Sequence, residues 1–164
     1  LQEYLVADGG SDPIEEVTVD GLSEAKATPE VLEALSDADL IVIGPSNPVL
    51  SIGPMLGIAD LRAAIEQADA PVIAVSPLVE GRSLKGPTEE CLRALGRPID
   101  ASGVASLYEG LLDALVCDPG DPSDDLDEPP FYRGETMLDT PEQRQELARS
   151  LLELARTLQA RDDD

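Results

Sequence analysis

Leu40-Ile-Val-Ile-Gly-Pro-Ser-Asn-Pro-Val-Leu-Ser-Ile-Gly-Pro54 is the stretch on which the fold turns. Leu40 to Ile43 is an uninterrupted apolar run that stops at Gly44. A strand buried on both faces reads this way, and such strands belong to parallel sheets covered by helices. Pro54 then opens a helical pattern in which Leu56, Leu61, Ala64 and Ile65 share a face. Strand, rigid loop and helix follow one another within a short span.

Downstream the order repeats. Pro71 to Val75 is a second buried strand, and Pro87 opens a helix with Glu89 and Glu90 in its first turn, where the helix dipole favours anions. Ile99 to Ser102 is expected as a short third strand, Gly103 to Leu112 as a helix, and Ala114 to Cys117 as a further strand. Upstream, Ile14 to Val19 alternates loosely and is expected as a strand before an Asp20-Gly21 turn. Thr28-Pro29-Glu30 starts a short helix with Val31, Leu32 and Leu35 on its apolar face. Alternating strands and helices with short links mean α/β architecture.

Residues 118–130 break the pattern. They are acidic and proline-rich, and lack the mid-loop Gly and the terminal Glu spacing of a calcium loop, so a solvated loop is expected. Thr140 to Gln143 forms a capping box, followed by Leu147, Leu151, Leu154 and Leu158 at helical spacing. That stripe reads as the core face of a closing helix, with a contact to a second subunit as its other use. The chain thus divides into an α/β core portion (1–117), an acidic Pro-rich loop (118–135) and a C-terminal segment with the closing helix (136–164).

Composition narrows the chemistry. The 164 residues carry 34 acidic and 11 basic side chains, a formal charge of −23, with no His and no Trp. Without His, a Ser-His-Asp triad, a Cys-His pair and imidazole metal ligation are excluded. Cys91 and Cys117 form no CxxC, so a structural zinc site within one chain and a disulfide-rich scaffold are excluded too; a reduced cytoplasmic setting is the simplest expectation. So acidic a surface repels polyanions, so no nucleic-acid partner is expected. No apolar run reaches the roughly 18 residues of a membrane span, and no signal peptide is evident. Lys26 and Lys85 are the only lysines, and aromatics are few. This balance suits a halophilic protein, because concentrated salt screens self-repulsion. The chain opens on Leu1 and not Met, so either a start has been trimmed or this is the back part of a longer protein.

Ligands of open α/β sheets sit beyond the carboxyl ends of the strands. The loop from Gly44 to Pro54 is therefore the first candidate site. Gly permits close approach of backbone to ligand, Pro fixes the loop's shape, and Ser46, Asn47 and Ser51 offer polar groups; a merely rigid turn is the competing reading. The second candidate runs from Ser76 to Pro87. Arg82 and Lys85 stand just before a helix start, where the dipole repels cations unless an anion lies between. An exposed ion pair with Glu80 is the alternative. Asp100 to Val104 reads as a plain helix cap.

Gly44-Pro-Ser-Asn-Pro48 with Ser51-Ile-Gly-Pro54 resembles the signature loop of the 2-phospho-L-lactate transferases of coenzyme F-420 biosynthesis, the CofD/FbiA family. Ala74-Val-Ser-Pro77 with Lys85-Gly-Pro87, then Gly103-Val-Ala105 through Tyr108 and Leu111-Leu-Asp113, then Thr136-Met137 and Leu147-Ala-Arg149, follow in family order; Gln2-Glu3-Tyr4 fits the start. A related family of sugar-nucleotide-binding gluconeogenesis factors shares the fold, but Asn47-Pro48 is more similar to the transferases. The resemblance reaches only the C-terminal half of that family. It implies a Rossmann-like, doubly wound, mostly parallel sheet with flanking helices, incomplete without an N-terminal half.

The resemblance also implies an activity. A phospholactyl or phosphoenolpyruvyl group would pass from a guanosine diphosphate-linked donor to the deazaflavin Fo, with release of GMP and assistance from Mg²⁺. The metal ligands are expected in the N-terminal half, with none in this chain. Such transfer needs in-line positioning and charge stabilisation. Ser46 and Asn47 are the expected catalytic donors. Gly44, Pro45, Ser51, Gly53, Ser76, Arg82, Lys85 and Gly86 are expected to bind substrate. A noncatalytic nucleotide- or sugar-nucleotide-binding regulator, and an assembly partner lacking a site, are the alternatives; a homodimer is possible.

Overall fold

The computed structural model describes residues 3–7, 13–124 and 128–162. After a π-helical turn at Glu3–Ala7 come α1 (Pro29–Ser36), β1 (Ile41–Ile43) and a second π-helical turn (Pro48–Ile52) that runs into α2 (Gly53–Leu56). Next are α3 (Ala59–Glu66), β2 (Val72–Val75), β3 (Leu78–Val79), β4 (Arg82–Ser83), α4 (Thr88–Ala94) and α5 (Ala101–Ala105). A 3-10 turn (Ser106–Tyr108), β5 (Ala114–Cys117), β6 (Phe131–Arg133) and α6 (Pro141–Asp162) complete the chain.

β1, β2, β5 and β6 form one parallel sheet in that order, in register at Ile41 with Val72, Ile73 with Ala114, and Leu115 with Phe131. Each step from β1 to β2 to β5 moves the same way across the sheet. Right-handed crossovers then place α2 to α5 on one face. There Ile41, Ile43, Val72, Ala74 and Leu115 pack with Leu56, Leu92, Val104 and Tyr108. The opposite face, Ile73, Val75, Ala114 and Val116, is covered by Leu147, Leu151, Leu154 and Leu158 of α6. The sheet is therefore covered on both faces, and the leucine stripe is its second core layer. The described strand order runs one way, so the strand-order reversal of the expected doubly wound sheet is not present among the described residues.

Local signals fix these elements. The capping box at α6 is formed: Thr140 N donates to Gln143 Oε1 at 3.0 Å and Gln143 N to Thr140 Oγ1 at 3.2 Å. Asp113 ties the starts of the two central strands, its Oδ2 accepting from Val72 N at 2.7 Å while its own N–H donates to Val72 O at 2.9 Å. β1 is an edge among the described residues, and Val42 on its α6-side face remains 44% exposed.

Four sequence expectations are corrected. Ile14 to Val19 forms no strand; it pairs with no described strand, and Val17 and Val19 stay exposed. Backbone groups of an extended segment need a neighbour, and alternation alone does not supply one. Ile99 to Ser102 is not a strand but the entry to α5: the Asp100 side chain accepts from Gly103 N at 3.0 Å, and this cap overrides the β preference of Ile99. The helix expected from Gly103 to Leu112 is only α5 and the 3-10 turn. The acidic segment is not simply a solvated loop. Asp118 and Asp121 are 7% and 5% exposed, and β6 lies inside the 118–135 stretch. Asp121 accepts from Ala101 N and Ser123 N, and the Arg133 guanidinium donates to the carbonyls of Asp121 and Ser123. Buried N–H groups require acceptors, and these aspartates are their acceptors.

No single helix among the described residues is long and apolar enough to cross a membrane.

Candidate functional site

Because the four strands are parallel, their carboxyl ends share one edge, which carries Gly44, Ser76, Asp118 and Gly134. The loop after β1 opens with Ser46 N donating to Gly44 O at 2.7 Å. Asn47 then caps the following turn, its Oδ1 accepting from Val49 N at 2.9 Å and Leu50 N at 2.8 Å. With Pro48 in its first position, a helical turn begins there. α2 then opens at Gly53 with Pro54 in its first turn, as expected, but the single helix expected through Ile65 is broken after Leu56 and resumes as α3 at an angle of 87°. Gly53 lets the turn at Pro48 close tightly, since a Cβ there would lie 3.0 Å from Pro48 O. Ser46 and Ser51 are exposed.

The segment after β2 is a hairpin rather than a loop. β3 and β4 pair antiparallel, Leu78 with Ser83 and Val79 with Arg82. Glu80 and Gly81 between them have φ of 51° and 71°, the left-handed pair of a type I′ turn. Asp118 Oδ1 accepts from Glu80 N at 3.2 Å and from Gly120 N at 2.9 Å, seating the hairpin tip on the turn after β5. At the end of β4, Ser83 N donates to Glu89 Oε1, and Ser83 Oγ donates to the Lys85 and Gly86 carbonyls. The Lys85 turn, with Gly86 at φ 76°, is thereby tied to α4. Arg82 and Lys85 are exposed, and neither forms an ion pair among the described residues, with Glu80 or any other acid.

The loop after β1 meets α4, the helix that follows the second segment, at Asn47. Asn47 Nδ2 donates to Thr88 Oγ1 at 3.3 Å and lies 3.8 Å from Cys91 Sγ. Burial pushes the Cys91 thiol above its ordinary pKa, with the Asn47 contact opposing the shift, so the thiol stays protonated. The expected catalytic amide of Asn47 is thus engaged within the protein. Ser76, expected to face a ligand, is 1% exposed and its hydroxyl accepts from Leu78 N at 3.2 Å. Ser46, Ser51, Arg82 and Lys85 are the expected residues whose polar side chains stay exposed.

A hollow of about 730 Å³ lies between the 13–20 segment and the helix after β1, with Tyr4, Val17, Val19, Leu50 and Pro54 among its walls. A smaller one of about 380 Å³ touches Glu90 and Arg93. Neither is lined by Ser46, Arg82 or Lys85. Among the described residues no three Asp, Glu or Cys side chains are grouped to hold a metal ion.

Comparison with known proteins bears on this arrangement. The family model described as 2-phospho-L-lactate transferase CofD matches residues 1–152. The chain belongs to the CofD family. It is 40% identical over 150 residues to the 2-phospho-L-lactate transferase of Halobacterium salinarum, covering 92% of this chain and 43% of that protein. It is 32% identical over 162 residues to the enzyme of the same name from Methanosarcina barkeri, covering 96% and 52%. To the phosphoenolpyruvate transferase of Mycolicibacterium smegmatis it is 37% identical over 126 residues, covering 74% and 38%. The chain spans about half, or less, of the length of these relatives.

Within this CofD-family chain, the Gly103-Val-Ala105 to Tyr108 segment is packing machinery. Val104 is fully buried, Tyr108 is 2% exposed, and burial pushes its phenol pKa up. Sequence reasoning passed over Thr88, Asp118 and Asp121. Asn47-Pro48 carried a legible cap signal. Nothing local marks Thr88, whose partner is distant in sequence.

Proposed function

We propose that the protein carrying this chain transfers a phospholactyl or phosphoenolpyruvyl group from a guanosine diphosphate-linked donor to the deazaflavin Fo, releasing GMP. The observation that carries this reading is the Asn47–Thr88 hydrogen bond, which joins the loop after β1 to the start of α4. One rim of the proposed site is the Gly44–Asn47 turn with exposed Ser46, and the other is the Arg82–Lys85 segment, whose exposed cations form no ion pair among the described residues. Family membership supports it, since relatives carry the names 2-phospho-L-lactate transferase and phosphoenolpyruvate transferase.

In this chain the residues bind and orient. Lys85 and Arg82 neutralise donor phosphates or its carboxylate, and Ser46 donates a hydrogen bond at the transfer point. Magnesium, when bound, neutralises phosphate charge, and its ligands lie elsewhere in the full-length protein. The open edge of β1 and the exposed Val42 are where a further strand of that protein would pair. The acidic surface fits work in concentrated salt, in a cytoplasmic setting.

The test is GMP release by the protein carrying this sequence, given Fo, Mg²⁺ and each donor in turn. Lys85→Ala removes one charge-assisted contact, of about 1.5–3 kcal/mol, and is expected to raise the donor KM about tenfold or more. An unchanged donor KM removes Lys85 from the site. Guanosine nucleotide binding with no turnover would favour the noncatalytic regulator.

A further inference from the structure

We propose that Thr88 is a positioning residue, which orients Asn47 and so sets the separation between the Gly44–Asn47 rim and the Arg82–Lys85 rim. The inference rests on the transfer-site reading above and adds the device that holds its two sides in register.

The hydrogen bonds of Asn47 leave one arrangement of its amide. Val49 N and Leu50 N are both donors, so the side-chain oxygen must face them. The amide nitrogen is then directed away from its own loop, toward Thr88 Oγ1 at 3.3 Å and Cys91 Sγ at 3.8 Å. Its two hydrogens meet two acceptors. Thr88 is 2% exposed and Cys91 fully buried, so water does not replace either partner.

Thr88 has no local reason to be threonine. It is the first residue of α4, a helix whose preceding residue is Pro87 and which has no side-chain cap. A β-branched residue gains nothing there from helix propensity. Its hydroxyl instead receives a hydrogen bond from a residue 41 positions earlier.

Both rims are tied to this contact. Asn47 is the last residue before the helix that follows β1, and its cap fixes the Gly44–Asn47 turn to that helix. On the other side, Glu89 of α4 accepts from Ser83 N, and Ser83 Oγ reaches the carbonyls of Lys85 and Gly86. A shift at Asn47–Thr88 is therefore transmitted to Ser46 on one side and to Lys85 on the other. Misplacement of reacting groups by about 1 Å can cost about a hundredfold in rate.

The test compares wild type, Thr88→Val and Thr88→Ser in the protein carrying this sequence. Valine keeps the shape and removes the acceptor, and serine restores the hydroxyl. Thr88→Val is expected to raise the donor KM about tenfold while the Fo KM changes less than about twofold. Thr88→Ser should return the donor KM to within about threefold of wild type. A second readout needs no turnover: alkylation of the Cys91 thiol, followed by peptide mass spectrometry with Cys117 as internal reference. Loss of the Asn47 anchor should speed labelling at Cys91 about fivefold or more in Thr88→Val and not in Thr88→Ser. An equal rise of both KM values, or Cys91 labelling unchanged in Thr88→Val, overturns the positioning role. Wild type that turns over no donor overturns the transferase reading alone, and Cys91 labelling still decides the coupling.

Discussion

Gly103→Ala sets helix propensity against packing, and the structure says which wins. A Cβ built at Gly103 would lie 1.9 Å from Pro98 O and 2.8 Å from Pro98 C. Ordinary contact begins at 3.4 Å, so the overlap is about 1.5 Å, and both atoms are backbone with no rotamer to escape into. To relieve it α5 must move off the turn at Pro98. That motion strains the Asp100 cap on Gly103 N and the bond from Ala101 N to Asp121. Overpacking of this kind costs about 1–3 kcal/mol, and weakening two capping bonds adds about 1 kcal/mol each. Alanine's better helix propensity returns about 1 kcal/mol. The net is a loss of about 3 kcal/mol, equivalent to a fall of roughly 6–12 °C in Tm for a chain of this size. Urea and thermal melts followed by circular dichroism, at fixed salt, measure it. Gly44→Ala is the control, since its Cβ would meet nothing within 4 Å; its stability should stay within about 0.5 kcal/mol of wild type. A Gly103→Ala protein as stable as wild type, or more so, would refute the claim that close approach to Pro98 dictates this glycine.

Two further outcomes are expected. Asp121→Ala leaves Ala101 N and Ser123 N buried without their acceptor and should cost about 2–4 kcal/mol in a urea melt, with Asp121→Asn losing less. Stability should also fall as pH rises. Burial holds both Cys91 and Tyr108 protonated in the folded state, above their ordinary values of 9.0 and 10.0. Their contribution is therefore fully present below about pH 9 and is lost above it, as the unfolded chain ionises first. Melts between pH 8 and pH 10.5 that show no decline would remove both groups from the account.

Much of the fold was legible because its signals are local. Leu40–Ile43, Pro71–Val75 and Ala114–Cys117 are apolar on both faces, the pattern that strands of a covered parallel sheet carry. The Thr140–Gln143 box and the leucine stripe specify α6 within a few turns of chain. The strand expected at Ile99–Ser102 is overridden by a local cap at Asp100, while the other failures share one cause, a neighbour distant in sequence. Ile14–Val19 has a strand's alternation without a neighbour. Phe131–Arg133 looks like part of a loop until β5 stands beside it. An acidic, proline-rich composition says nothing of which carboxylates will meet buried N–H groups.

The candidate site divides in the same way. Its loops, their order and their family likeness are properties of the sequence, because Gly, Pro and capping Asn constrain the backbone one turn at a time. What each side chain does was decided by tertiary contact. Asn47 faces Thr88 because α4 arrives there from elsewhere in the chain, and Asp118 meets Glu80 N because the β3–β4 hairpin folds back on the turn after β5. Hydrogen bonds between residues forty positions apart depend on which elements pack together, and no local pattern of residues encodes them.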